Sequence, residues 1–326
     1  MDTSKPTEPN ASNVESLLQY AVLAPSSHNT QPWFFRVDEH RISLLADRVR
    51  ALPVNDPEDR ELTISCGCAL TNFRVAAAKA GIATKCEIPS NSNDQDLLAV
   101  VNLNQKDASE SFLEASLFEC IEGRRTYRKR FEDREVPSSA LQELCETAAE
   151  EGAWFHVIDS EERRQEVAAL VAKGDAIQWT NPSWRRELAA WMHPRRLGDG
   201  LTVPGLVAPI AQMVVRTFDM GNGVGAKDKQ LADESPVLAV LGTDGDGEGD
   251  WLNAGQALER VLLNAYKNGL QASYLNQPIE VPLLRSKLQH LLGHSGFPQI
   301  LLRIGFPEDE LPAAPRRNLD EVIIKQ

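Results

Sequence analysis

Apolar residues recur along this chain in two rhythms, one helical and one alternating. Val14, Leu17, Leu18, Ala21 and Val22 share one face of a helix expected over about 13–23, which Pro25 stops. The runs 33–37 and 41–46, joined by a tight polar loop at 38–40, read as paired strands. Leu62, Cys66, Ala69, Leu70, Phe73, Ala76, Ala77 and Ala80 then trace the clearest helix of the first half, closed by Gly81. Strands at 83–88 and 97–103 complete that half.

The second half repeats the theme. Helices are expected near 109–122, 138–151 and 160–179, with a strand at 153–158. A strand at 236–242 leads through an acidic glycine loop into a helix over about 251–268, and strands at 273–276 and 299–304 close the pattern. Helices and short strands in this order predict an α+β fold. Between them lies a long segment, about 177–233, rich in Trp, Arg, Pro and Gly. It concentrates Trp179, Trp184, Trp191, Met192, Met213 and Phe218 beside Arg185, Arg186, Arg195 and Arg196. Two readings stand: a helical hairpin that completes the core, or a lid over a site.

An offset of 188 residues brings out an internal repeat. It lays Gly67 on Gly255, Ala69 on Ala257, Leu70 on Leu258, Ala77 on Ala265, Lys79 on Lys267 and Gly81 on Gly269. Shared helical periodicity accounts for the apolar matches but not for the paired glycines. We read two related halves, about 13–108 and 109–326, packed in one chain as a homodimer would pack.

Composition narrows the class. Of 326 residues, 42% are hydrophobic and 25% charged, an ordinary globular balance that excludes disordered and fibrous architectures. A net charge of −13 argues against gripping nucleic acid or anionic lipid by bulk charge. Five cysteines, sparse and odd in number, point to a reducing compartment rather than a disulfide framework. The polar stretch 1–12 reads as a loose tail, not a signal peptide, and the apolar run 203–215 is too short and proline-broken to span a bilayer. A soluble cytoplasmic protein is expected, with neither nucleic acid nor membrane as partner.

Three segments could carry chemistry. The turn Ala24-Pro25-Ser26-Ser27-His28-Asn29-Thr30-Gln31-Pro32-Trp33 sits between a helix and a strand. There Ser26, Ser27, Asn29 and Gln31 can meet ring carbonyls, hydroxyls or phosphate oxygens, although a plain helix-ending turn uses the same residues. The second is a basic run, Arg124-Arg125-Thr126-Tyr127-Arg128-Lys129-Arg130, in an acidic chain. Its arginine forks suit phosphate, and a solvated charged face is the alternative. The pair Arg316 and Arg317 is the third. Other motifs fall away. The glycines at 221–225 lack phosphate-loop spacing and a following helix, and the acidic loop from Asp244 lacks the closing glutamate of a calcium loop. Cys66 and Cys68 fall on different helix faces and read as small packed hydrophobes, and no catalytic nucleophile or metal site is expected.

These residues carry a resemblance. The 24–33 turn resembles the signature turn of the FMN-dependent nitroreductase (flavin reductase) family, whose members fold as α+β dimers around the flavin. Arg124 to Phe131 is similar to that family's phosphate-binding start, the run Gly269 to Gln277 to its helix-to-strand segment beside the flavin N5, and Gln299 to Gly305 with Pro315-Arg316-Arg317 to its closing strand and basic tail. The chain more narrowly resembles the tandem, single-chain branch typified by the mycobacterial Acg proteins. The resemblance implies a nitroreductase-like fold with an internal pseudo-dimer. It further implies that Arg124, Arg125, Thr126, Arg128, Arg316 and Arg317 hold the FMN phosphate and pyrimidine edge. Ser26, Ser27, Asn29 and Gln31 would contact the flavin from the other half, with Asn276 and Gln277 near N5.

One turn plus one basic start makes a single composite site, since Glu150-Glu151-Gly152-Ala153-Trp154 stands where the second turn would be. The activity implied is hydride transfer from NAD(P)H through FMN to a nitroaromatic, quinone or similar small-molecule acceptor, in a monomer. The alternative is an FMN-sequestering protein in which the insert, as the lid similar proteins of that branch carry, closes over the flavin.

Overall fold

A computed structural model describes residues 14–38, 40–89, 93–104 and 112–324. The tail expected at 1–12 lies outside them, as do Asn13, Glu39 and the first residues of the helix expected at 109–122. The first half holds α1 (Val14–Ala21), β1 (Trp33–Asp38), β2 (Arg41–Ala46), α2 (Arg60–Lys79), β3 (Ala83–Glu87) and β4 (Leu97–Asn104). Next come α3 (Phe112–Ala115), α4 (Ser138–Glu150), β5 (Trp154–Val157), α5 (Glu161–Thr180) and α6 (Pro182–Ala190). The insert continues through β6 (Met192–His193), β7 (Leu201–Thr202), α7 (Ala208–Thr217) and α8 (Gly221–Asp233). The rest is β8 (Val237–Thr243), α9 (Glu248–Lys267), β9 (Gln271–Tyr274), α10 (Gln277–Glu280), α11 (Pro282–Leu292), β10 (Phe297–Gly305) and β11 (Ile323–Ile324).

Two sheets result, ordered β11-β1-β2-β4-β3 and β5-β8-β10-β9. Their neighbours pair antiparallel except β11, which lies parallel to β1 with Ile323 beside Phe35. The segment after β10 therefore crosses from the second sheet to the first. Between the sheets, α2 and α9 form the centre of one shared core, buried almost all round because each is apolar or small on most faces. Cys68 Sγ donates to Gly255 O at 3.2 Å and Thr71 Oγ1 to Gln256 O at 3.1 Å across that contact. Cys66 and Cys68 are both buried, and desolvation pushes both thiols up. The α+β architecture and the duplication around the glycine-matched helices are as the sequence pattern predicts.

Four local differences have physical reasons. The stretch expected as one helix at 109–122 breaks within the described residues into α3 and a short turn at Phe118–Cys120. The glycines at 221–225 open a helix rather than a loop. A Cβ on Gly221 would sit 2.8 Å from Trp179 Cβ and one on Gly225 3.0 Å from Ala172 O, so these glycines let α8 press against α5. The strand expected at 273–276 runs earlier, as β9, which frees Asn276 and Gln277 from the sheet to begin α10. The insert is helical and has its own small core of Trp179, Trp184, Ala189 and Val215.

Candidate functional site

The turn after α1 is strained. His28, Asn29 and Gln31 have φ of 49°, 55° and 52°, the left-handed region that side-chain-bearing residues rarely enter. Contacts from distant parts of the chain hold it. Ser26 Oγ accepts the Gln31 N–H at 2.9 Å. Asn29 Nδ2 donates to Pro315 O at 3.2 Å, and Gln31 Nε2 donates to Gly198 O at 2.9 Å. Gln31 Oε1 accepts the Arg317 N–H at 2.9 Å. Insert and tail thus clamp the same two residues, Asn29 and Gln31.

A cavity of about 280 Å³ opens beside the turn, where the two halves and the insert meet. Ser26, Ser27 and His28 form one wall, and Thr126, Arg128, Tyr274, Asn276 and Gln277 line it from the second half. Trp179 and Trp184 of the insert roof it. The roof is fastened to the first half through Trp184 Nε1, which donates to Asn55 Oδ1 at 2.7 Å, and through Glu187, which accepts the backbone N–H groups of Val54 and Asn55 at 2.9 and 2.8 Å. Among the described residues, three buried polar atoms of cavity-lining side chains lack a partner: His28 Nδ1, Tyr274 Oη and Gln277 Oε1. Buried groups of this kind are nearly always satisfied.

Carboxylates make up another side. Glu61 accepts the Ser27 hydroxyl at 2.6 Å and Asn276 Nδ2 at 3.0 Å, joining the halves. Glu280 takes a hydrogen bond from Gln178, and burial together with neighbouring Glu61 pushes it well above the ordinary carboxyl range. Burial, then Glu61, raises Asp56 to about 7. Gln277 Nε2 bridges Asp228 and Asp175 at 2.8 and 3.3 Å, and burial with Asp228 raises Asp175 to about 7. Burial lowers His28 to about 4 against the pull of Glu61, leaving a neutral imidazole.

The basic run is held by β9 and β10. Tyr127 N donates to Ala272 O at 2.8 Å, and the buried Arg303 donates to the carbonyls of Tyr127 and Lys129 at 2.9 and 2.8 Å. Thr126 and Arg128 reach the cavity wall. Arg124 and Arg316 converge behind it, both donating to Leu23 O, at 3.1 and 2.7 Å. Burial, then the like charge of Arg124, brings Arg316 down to about 9, and the buried Glu259 carboxylate beside Arg124 offsets part of that charge.

Of the twelve residues singled out from sequence, Ser26, Ser27, Thr126, Arg128, Asn276 and Gln277 come together on the cavity. Asn29, Gln31 and Arg317 instead bind one another's neighbourhood, and Arg317 pairs with Asp47 at 3.1 Å. Arg125 turns to the carbonyls of Leu311 and Glu122. His28, Glu61, Tyr274, Glu280 and Asp175 line the cavity without having been singled out. The one sequence signal for any of them was position: His28 lies inside the unusual turn, and Tyr274 just ahead of Asn276.

A Mycobacterium tuberculosis protein provisionally named NAD(P)H nitroreductase Rv3131 is 32% identical over 324 residues, spanning 97% of this chain and 92% of its own. A second from that organism, provisionally named NAD(P)H nitroreductase acg, is 30% identical over 316 residues, spanning 95% and 94%. Among solved structures, the FMN and NADPH-dependent nitroreductase NfnB of a Sphingopyxis strain covers 64% of this chain and 98% of its own, with a TM-score of 0.44 and 20% identity. No family model matches the chain.

Proposed function

The chain belongs to the NAD(P)H nitroreductase family, and from that premise we propose that it binds one FMN between its halves and acts as an NAD(P)H-dependent oxidoreductase on a small-molecule acceptor. Nitroaromatics and quinones are the acceptor classes. The observation that carries the reading is a set of three buried atoms without a partner among the described residues, His28 Nδ1, Tyr274 Oη and Gln277 Oε1, on side chains that line one cavity. A tyrosine hydroxyl donor and an amide oxygen acceptor suit the alternating carbonyls and N–H of a flavin edge.

A flavin bound there would supply the hydride-transfer chemistry between a nicotinamide and an acceptor. The protein's own residues orient and insulate. Arg128 lines the cavity without a hydrogen bond or ion pair in the chain among the described residues, so its fork is free for phosphate, with Thr126 beside it. Arg124 and Arg316 add positive field from behind the wall. Trp179 and Trp184 roof the cavity and exclude water from it. Because the pseudo-dimer contact is internal, the working unit is a monomer.

One observation favours a second reading, flavin sequestration. The cavity's 280 Å³ falls just under the roughly 300–1,000 Å³ of small-molecule sites, so a nicotinamide stacked on a bound ring requires the roof to move. The deciding experiment is the visible spectrum of the purified protein, followed anaerobically after NADPH, then NADH, then dithionite. A flavin band bleached by either nucleotide supports the oxidoreductase. A band bleached by dithionite alone supports sequestration. No flavin uptake after incubation with FMN overturns both.

A further inference from the structure

The insert carries an apolar surface that nothing among the described residues covers. Leu206 is 96% exposed, Ile210 60% and Met213 59%. On α7, Val207, Ile210 and Met213 share the face opposite the buried Ala208 and Val215. Arginines flank this stripe. Arg216 follows Met213 by one turn, and Arg195 and Arg196 follow Pro194, which packs on Gly205, where a Cβ would lie 3.7 Å from the proline Cβ. All three are exposed and form no ion pair among the described residues; Arg195 donates only to the Ala313 carbonyl.

The acids of the same stretch are turned to other work. Glu187 accepts backbone N–H groups of Val54 and Asn55, Asp199 engages Arg50 and His193, and Asp219 accepts the Gly221 N–H at 2.9 Å. Beside the stripe, Arg195, Arg196 and Arg216 are exposed against one exposed acid of residues 187–219, Asp219, in a chain whose net charge is −13.

We propose that this face docks on the surface of an anionic lipid bilayer, with the α7 stripe in the headgroup layer and Arg195, Arg196 and Arg216 against lipid phosphates. A helix with an apolar stripe and arginine flanks is the form that lies in a membrane interface, and basic residues near an anionic surface add electrostatic attraction to it. The chain's negative charge elsewhere is no obstacle, because charges beyond a Debye length of about 8 Å are screened at physiological salt. A second copy fits less well, since a two-fold contact through this patch would set its arginines against their own counterparts. Among the described residues no helix is long and apolar enough to cross a membrane, so the contact is peripheral.

Flotation of the full chain with vesicles tests this, using phosphatidylcholine alone and phosphatidylcholine with phosphatidylglycerol, at low and high salt. Ile210→Ser/Met213→Ser and Arg195→Gln/Arg196→Gln are compared with the parent, with thermal melts to establish that each folds. The expected result is binding to the anionic vesicles only, weakened by salt and reduced at least tenfold in each variant. Failure of the parent to float with anionic vesicles overturns the proposal, as does unchanged binding of both variants. A dimer in light scattering that Ile210→Ser/Met213→Ser dissolves also overturns it, in favour of a second copy.

Discussion

Gly67 of α2 and Gly255 of α9 lie against each other with no room for a methyl group. A Cβ on Gly67 would fall 2.3 Å from Leu252 O, and one on Gly255 would fall 2.1 Å from Ile64 O. The contact is reciprocal, since residues 64 and 252 are separated by the same 188 positions as 67 and 255. Two copies of one helix thus meet at a pseudo-two-fold axis, each glycine facing the other copy's backbone.

Gly67→Ala and Gly255→Ala are each expected to destabilise the protein by about 3 kcal/mol, the upper end for overpacking, because the obstruction is backbone and cannot rotate aside. The double variant should cost less than the sum, as one separation of the helices relieves both clashes. Denaturant midpoints of the three variants check this, and additive losses would argue that the contacts are independent.

Arg128 and Arg317 should behave oppositely. Arg128→Gln removes a fork with no hydrogen bond or ion pair among the described residues, and FMN affinity is expected to fall about ten- to a hundredfold with little change in melting temperature. Arg317→Ala removes the guanidinium that pairs with the buried Asp47 and donates to the Gln31 carbonyl, and stability is expected to drop by roughly 3 kcal/mol or more. Flavin titration and thermal melts on both variants separate the roles.

Asp175 makes stability depend on pH. Burial and Asp228 raise it from 3.8 to about 7, so the folded state holds a proton that the unfolded chain releases. Its stabilising contribution is full below about pH 4 and is lost as pH rises through about 7. Asp56 acts in the same sense, whereas Asp246, brought to about 2 despite burial by hydrogen bonds from Arg285, Trp251 and Gln299, loses its contribution only in stronger acid. Melting temperature should decline from pH 5 to pH 8, and Asp175→Asn should flatten that decline.

Trp184→Phe keeps an aromatic roof but gives up the hydrogen bond to Asn55. If the insert gates the cavity, anaerobic reduction by NADPH should be several-fold faster in this variant than in the parent. Equal rates would mean that roof movement does not limit access.

Much of this architecture was legible in the chain. The helical rhythm of Leu62 to Ala80 and the glycine match placed both central helices, because periodicity and close packing leave local signatures. The cavity's acids were not legible. Glu61 and Glu280 lie 219 residues apart and look like ordinary polar helix residues until the fold buries them together. Gly221 and Gly225 misled for a related reason: glycine marks loops locally, while here it marks helix contact. Arg303 offered an unread clue. A charge within Ile300-Leu301-Leu302-Arg303-Ile304 must find buried partners, and it holds the carbonyls that shape the basic run.

The clamp on the 27–31 turn sets a schedule for biosynthesis. Asn29 waits for Pro315, 286 residues downstream, and β1 waits for β11. At roughly 5–20 residues per second, the strained turn spends about a quarter of a minute to a minute outside the ribosome before its partners emerge. During that interval the first sheet presents β1 as an open edge. The site is the last part of the molecule to be completed, so any flavin must enter after the chain has closed on itself.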